Sequence, residues 1–331
     1  MYTIRRKTLL HILCIVFVLC FVSLSVYANE SSYPERVTIA ASVPGGGFYM
    51  AASALAKVIS RMPGVFSSVQ VTNASIHNMQ LVQAGASDIG LTVSNSAWEG
   101  WNGKGKFEGN KTDKLRTVFP HYTTSYLYVT LERTGIKNIK EFDGKRFSSA
   151  MKDSSLDITT GYLFEVLGIH PKLVHLPLMD GSRSLVDGTI DGFVVSAPES
   201  TVTELELTQK VRILSLSEEE LDTFFEEYPQ FQRTKIFAED YKSIDQDISS
   251  IGNYAMWIVN KDLSEDFVYG LCKAAFENIK DIELICPAMA KGMGFDVLEH
   301  TPIPYHPGAI KYFREQGANI PPSLIPPEMK E

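Results

Sequence analysis

The sequence predicts an α/β protein whose parallel sheet is covered on both faces and divided between two domains. Three observations carry this expectation. The stretch Val37–Lys57 passes from a β-branched run (Val37, Thr38, Ile39) through Pro44-Gly45-Gly46-Gly47 into a small-residue amphipathic pattern (Ala51, Ala52, Ala54, Leu55, Val58, Ile59), which is a strand, a turn and a helix. The strand–helix rhythm then recurs along the chain, with nearly continuous apolar runs such as Asp88–Val93 of the kind buried on both faces. The length of 331 residues suits about two domains.

After the opening helix, Pro63-Gly64 breaks the pattern and Ser68–Val71 is the second predicted strand. Ser75 or Asn73 is the expected N-cap of a helix that ends at Ala84-Gly85. Asp88–Val93 is the third strand, and Ser94-Asn95-Ser96 at its carboxyl end is expected to cap a helix over Ala97–Trp101. Gly100–Gly109, with Trp101, Phe107 and Lys104, Lys106 and Lys111 in or beside it, is predicted to be an exposed mobile loop whose aromatic residues pack on the first domain. Leu115–Pro120 and Tyr126–Leu131 are two further strands, and between them the chain is expected to cross into a second domain.

There the opening arrangement repeats. A short helix at Ile139–Phe142 and a strand through Phe147 lead into the polar loop Ser148–Asp157, where Ser154, Ser155 and Asp157 are cap candidates for a helix over Ile158–Leu167. Strands follow at Leu173–Leu176, Asp191–Ala197 and Val211–Leu216, and Glu218–Asp247 is acidic and aromatic. Tyr254–Val259 is a strand returning to the first domain, helices are expected over Glu265–Asn278 and Ile282–Lys291, and a last helix ends at Gln316-Gly317. Four prolines between Pro321 and Pro327 predict an extended terminus.

Residues 1–28 are expected to be a cleaved signal peptide: Arg5, Arg6 and Lys7 precede an apolar run from Ile12 to Val22, and Val26-Tyr27-Ala28 fits a cleavage site. Its loss removes three basic residues and no acidic one, moving the net charge from −8 to −11. An acidic chain without a basic run argues against nucleic acid and anionic lipid as partners. Cys272 and Cys286 remain after cleavage; an oxidising compartment would let them pair, and two buried free thiols are equally compatible with the sequence.

No catalytic constellation emerges. The histidines show no HExxH or other metal spacing, no Gly-x-Ser-x-Gly elbow is present, and neither cysteine has an adjacent histidine. His306, between Tyr305 and Pro307, is expected to be a packed turn residue. No metal or cofactor is expected. The glycine turn could be no more than a tight βα connection, or it could bring an anion to the free N–H groups of a helix N-terminus. Ser75/Asn78 and Ser94/Asn95 fall, like that turn, at the carboxyl ends of successive strands, where open α/β sheets bind ligands. This coincidence points to a cleft between two lobes, closed by hinge bending. Arg183 and Lys152 are the basic candidates near it.

With these residues in view, the chain resembles the TAXI family of solute-binding subunits of TRAP transporters, over about Val37 to Gly317. Gly45-Gly46-Gly47-Phe48-Tyr49 stands where that family has a GGTYY-like turn, and Thr72-Asn73-Ala74-Ser75-Ile76-His77-Asn78-Met79 where it has TGGSxxNL. Asp88-Ile89-Gly90, Asp143–Arg146, Asp187–Asp191 and Pro304–Ala309 agree in order and spacing. The resemblance implies a two-lobed, type II periplasmic binding-protein fold: two doubly wound α/β domains joined by a hinge, with lobe I formed by 29–123 and 253–331 and lobe II by 124–252. It implies a monomeric periplasmic receptor, not an enzyme, that delivers a small organic anion to a membrane permease. Dicarboxylates, glutamate-like compounds and 2-oxo or 2-hydroxy acids are the implied class. The alternative is a sensor or scaffold signalling to a membrane partner through the same cleft. Carried over by position, the binding residues are Gly46, Gly47, Phe48, Tyr49, Ser75, Asn78, Ser94, Ser154, Ser155, Ser196 and Ala197. Two stretches depart from the family. Ala40-Ala41-Ser42 replaces a GTG-like run, and Asp153-Ser154-Ser155-Leu156 replaces Gly-Ser-Gly-Thr, which adds side chains and a negative charge.

Overall fold

The computed structural model describes residues 33–197 and 200–330. The predicted signal peptide, residues 1–28, lies outside the described residues. The strands are β1 (Arg36–Ala40), β2 (Phe66–Gln70), β3 (Ile89–Val93), β4 (Leu115–Leu131), β5 (Arg146–Ser148), β6 (Lys172–Val174), β7 (Gly192–Ala197), β8 (Val211–Leu214), β9 (Gln232–Ile236) and β10 (Ile248–Asn260). The helices are α1 (Gly47–Ile59), α2 (Ser75–Gln83), α3 (Ser94–Asn102), α4 (Ser155–Val166), α5 (Leu178–Val186), α6 (Ser200–Leu205), α7 (Glu218–Glu227), α8 (Glu265–Glu277), α9 (Ile279–Ile285), α10 (Pro287–Gly292) and α11 (Pro307–Glu315).

The ten strands of the described residues join through hydrogen bonds in the order β2-β1-β3-β10-β4-β7-β5-β6, with β8 on β4 and β9 on β10. The order contains the same unit twice. In the first half β1 pairs in parallel with β2 and β3, and β10 closes the group antiparallel to β3. In the second half β5 pairs in parallel with β6 and β7, and β4 closes it antiparallel to β7. Each third strand opens on an aspartate that fastens it to the first strand of its group. Asp88 accepts from the N–H and hydroxyl of Thr38 at 2.7 and 2.9 Å. Asp191 accepts from the N–H and guanidinium of Arg146, which also holds its carboxyl below the usual carboxylate range. The Asp-x-Gly and Asp-Gly pattern at these strand starts is therefore structural.

Four buried clusters cover the faces. In the first half one joins α1 to α8–α11 across β1, β3, β4 and β10, and another holds Met79, Val82, Ala97, Phe107 and Ile258 on the opposite side. In the second half Phe147, Phe164, Phe224 and Tyr128 lie in one cluster, and Val129, Leu185, Val195 and Ile213 in the other. Cys272 and Cys286 are both free and buried in the first-half core, where burial raises both thiols above their usual range.

The structure corrects several boundaries. Leu115–Pro120 and Tyr126–Leu131 are one strand, because Tyr122–Ser125 stays extended between them. Pro120 is accommodated where the β4/β10 register shifts beside Met256, so its missing N–H falls at an irregularity of the ladder. The first half of β4 pairs with the end of β10, and its second half with β7 and β8. The start of β10 pairs with β9. Two long strands thus run side by side through both halves, in opposite directions. Gly252 is needed where the pair crosses from one half to the other, since a Cβ there would collide with the Thr124 carbonyl and the Thr234 side chain. Pro287 divides the expected helix 282–291 into α9 and α10. The proline-rich terminus forms two short 3-10 turns rather than an extended segment, fixed in part by Glu328, which takes a bidentate ion pair from buried Arg116. Among the described residues no helix is long and apolar enough to cross a membrane.

Candidate functional site

The two crossing segments, Tyr122–Tyr126 of β4 and Gly252–Tyr254 of β10, are where the predicted polar turns meet. An added Cβ at Gly47 would lie 3.3 Å from the Tyr122 hydroxyl, so the glycine turn borders the first segment. The Ser94 hydroxyl accepts from the Tyr254 N–H at 3.2 Å. From the second half, the Ser155 hydroxyl is 3.2 Å from the Tyr126 hydroxyl, which also takes a bond from the Asn253 amide at 2.8 Å and lies 3.3 Å from Thr159. Strand register places Ser196 opposite Tyr126 and Ala197 opposite Ser125. Helix starts from both halves therefore converge on two adjacent strands.

The other predicted residues make contacts of their own. Asn78 is completely buried, and its amide donates to the Ala41 and Leu91 carbonyls at 2.7 Å each while its oxygen accepts from Thr72 at 2.5 Å. It ties the ends of β1 and β3 to α2 and has no donor left for a solute. Ser154 caps α4 by accepting from the Asp157 N–H. Phe48 packs against the first-half core, and Tyr49, partly buried beside it, gives its carbonyl to Ser53. Gly46 is the N-cap of α1 and lies against Ser42. Ser75 is buried at the first position of α2. Neither Ser75 nor Asn73 is the cap of that helix: the cap position is Ala74, at φ 65° and ψ −149°. This is a backbone region normally reserved for glycine, and occupying it with a side chain costs on the order of 1 kcal/mol or more. Ala74→Gly is accordingly expected to raise stability by about 1 kcal/mol, read as a higher urea midpoint at unchanged slope. Similarly, Ser94, Asn95 and Ser96 form the first turn of α3 instead of preceding it, with Val93 as the cap.

The loop after α3 is tied across to the second half. Phe107 is buried, as expected of a residue packing on the first domain. Lys106 forms an ion pair of 2.7 Å with Asp153, which stands before α4 in left-handed conformation at φ 60°. The departure from the glycine-rich family pattern is thus tolerated, and the lysine offsets the added charge and holds the Asp153 carboxyl below its usual range. Lys152 and Arg183, the basic residues expected near the site, are exposed.

Glu99, on α3, hydrogen-bonds with Tyr162 of α4 and is 3% exposed. Burial pushes its carboxyl up to about 7. Gly105, at φ +55°, lets the loop backbone pass close to both side chains; a Cβ there would lie 2.9 Å from the Glu99 carboxylate and 3.0 Å from the Tyr162 hydroxyl. His121 is buried among Phe119, Tyr122 and Trp257, and burial lowers it to about 3, which keeps the ring neutral. His306 is the packed cap of α11, its Nδ1 accepting from the Gly308 N–H. Among the described residues no group of three or more His, Cys, Asp or Glu is placed to hold a metal ion.

Tyr126, Asn253 and Glu99 leave little sign in the sequence. The first two are polar side chains inside apolar strand runs, and their orientation depends on the crossing of β4 and β10. Glu99 could have been noticed through its helical spacing of four from Asn95.

Two parallel-sheet units, joined by two shared strands with helix starts gathered at the junction, define a type II periplasmic binding-protein fold. The chain belongs to the NMT1-like family, whose model matches residues 39–317. It is similar in structure to MatC from Rhodopseudomonas palustris with bound malate, at TM-score 0.56 and 13% identity, over 78% of this chain and 90% of that one. It is also similar to the periplasmic binding protein BugD, at TM-score 0.55 and 14% identity, over 87% of this chain and all of that one. A periplasmic transporter matches at TM-score 0.53 and 14% identity over 78% and 88% of the two chains.

Proposed function

We propose that the protein is a non-catalytic extracytoplasmic receptor that binds a small organic acid between two lobes and presents it to a TRAP-type permease. The observation that carries this reading is the convergence of Gly47, Ser94, Ser155 and Ser196 on the crossing segments of β4 and β10. Helix N-termini and hydroxyls of this kind bind a carboxylate by aimed N–H and O–H donors. The malate held by MatC and the predicted signal peptide support the acid and the periplasm, and the TAXI resemblance supports the permease. Residues 29–123 and 253–331 form lobe I and 124–252 lobe II, the receptor acts as a monomer, and bending at the crossing closes it. Gly46, Gly47, Tyr49, Ser75, Ser94, Ser155, Ser196 and Ala197 line the cleft, with Asn78, Ser154 and Phe48 holding the turns in place.

A thermal-shift panel of dicarboxylates, 2-oxo acids, 2-hydroxy acids and amino acids tests the reading. A solute that binds only the folded state stabilises it by about 2.7 kcal/mol at 100 times its dissociation constant. A rise with a carboxylate class supports the receptor; a rise with neutral solutes alone discards the acid, and silence across the panel favours the sensor. Gly47→Val is expected to abolish the shift, because its branches would press on the Tyr122 hydroxyl, while the ligand-free melting temperature stays nearly unchanged. Unfolding of that variant would make the turn structural and misplace the site. Solute uptake by vesicles carrying a TRAP permease, with and without this protein, tests delivery.

A further inference from the structure

Glu99 is the one buried aspartate or glutamate among the described residues, and no salt bridge is formed by it. Arg116, the one buried lysine or arginine among them, is committed to Glu328. A carboxyl withdrawn from water without a compensating cation is costly, and buried charges are normally paired. Two buried amide oxygens on elements that meet α3 and α4 also lack a partner. Asn95 shares the helix face of Glu99 at a spacing of four, and Asn95 Oδ1 is buried without a hydrogen-bond partner. So is Asn253 Oδ1, on the residue whose amide reaches the Tyr126 hydroxyl. The Tyr126 hydroxyl lies 3.3 Å from Thr159, one turn before Tyr162 on α4, and Tyr162 bonds Glu99, so Asn253 and Glu99 border neighbouring turns of the same helix. Asn95 is 1% exposed and Asn253 fully buried.

We infer that this corner between α3 and α4 receives a protonated amino group, so that the solute is a zwitterion with its carboxylate toward the helix starts and its ammonium toward Glu99. An ammonium has three donors, matching the carboxylate and the two asparagine oxygens. The assignment rests on the receptor reading above and narrows its solute to amino acids and related amino-carboxylates. The Tyr162 hydroxyl steadies the carboxylate from the second lobe, so that closing the lobes would complete the amino pocket.

The test uses matched pairs that differ only in an amino or hydroxyl group: L-glutamate with L-2-hydroxyglutarate, L-alanine with L-lactate, and L-leucine with L-2-hydroxyisocaproate. Dissociation constants are measured by calorimetry at pH 7.5 on the wild-type protein and Glu99→Gln. At least one amino member is expected to bind about tenfold or more tightly than its hydroxy partner, as a charge-assisted bond requires, and Glu99→Gln is expected to erase that preference. The variant keeps the shape and the hydrogen bond to Tyr162, and its ligand-free melting curve reports its folding. If it does not fold, Asn95→Ala provides the same comparison. An amino preference unchanged in the folded variant overturns the assignment. Binding of hydroxy acids alone overturns it and leaves the receptor standing, whereas binding of neither kind removes both.

Discussion

Glu99→Gln is expected to stabilise the ligand-free protein strongly at pH 8 and hardly at all near pH 4.5. The ordinary carboxyl value is 4.5, and burial raises that of Glu99 to about 7. Below pH 4.5 the group is protonated in both folded and unfolded chains, and its ionisation contributes nothing. Between 4.5 and 7 the unfolded chain releases the proton while the folded chain keeps it, so stability falls as pH rises. Above 7 the penalty is complete, about 3 kcal/mol. Glutamine removes this penalty while retaining an acceptor for Tyr162. Urea unfolding of both proteins at pH 4.5 and 8 checks the result; an equal gain at both values would attribute it to packing and refute the charge argument.

Asn78→Ala is expected to destabilise the protein by about 3 kcal/mol. The substitution leaves the Ala41 and Leu91 carbonyls and the Thr72 hydroxyl short of a partner in a fully buried place. Thr72 and the Ala41 carbonyl retain their contact to each other, so the Leu91 carbonyl bears most of the loss. Asn78→Asp should be at least as harmful at pH 7 despite its similar size, because a carboxylate would face two carbonyl oxygens where the amide donated. A chemical-denaturation midpoint lowered by both, with an unchanged slope, confirms the strut. A harmless Asn78→Asp would show that size alone matters there.

The order of strands and helices was legible because it is written locally. The β-branched run at Val37–Ile39, the glycine turn and the apolar periodicity of Ala51–Ile59 each act within a few residues, and β1 and α1 follow directly. Ser154 could be recognised as a cap for the same reason. Asn78 shows the limit. Its resemblance to a TAXI motif drew attention to the residue, but whether its amide faces a solute or the Ala41 and Leu91 carbonyls depends on two strands brought beside it in space. Ala74 was hidden differently: alanine carries no local signal for positive φ, and only the surrounding fold imposes it. Glu99 and Lys106 resembled solvated charges because their partners, Tyr162 and Asp153, lie in the other half of the chain.

The placement of β10 has a consequence for the order of assembly. It is a central strand of the first half, between β3 and β4, although nearly 120 residues separate its start from the end of β4. A chain that emerges from its amino end has β1, β2 and β3 in hand long before the strand that joins them to β4. Until Ile248–Asn260 arrives, the edges of β3 and the first part of β4 remain open to mispairing. Local units such as β1-α1-β2 can form early, but the first half acquires its complete sheet only after the second half has been synthesised. Folding to the native state is thereby tied to a late nonlocal step, and anything that keeps those waiting edges covered during synthesis would protect the yield.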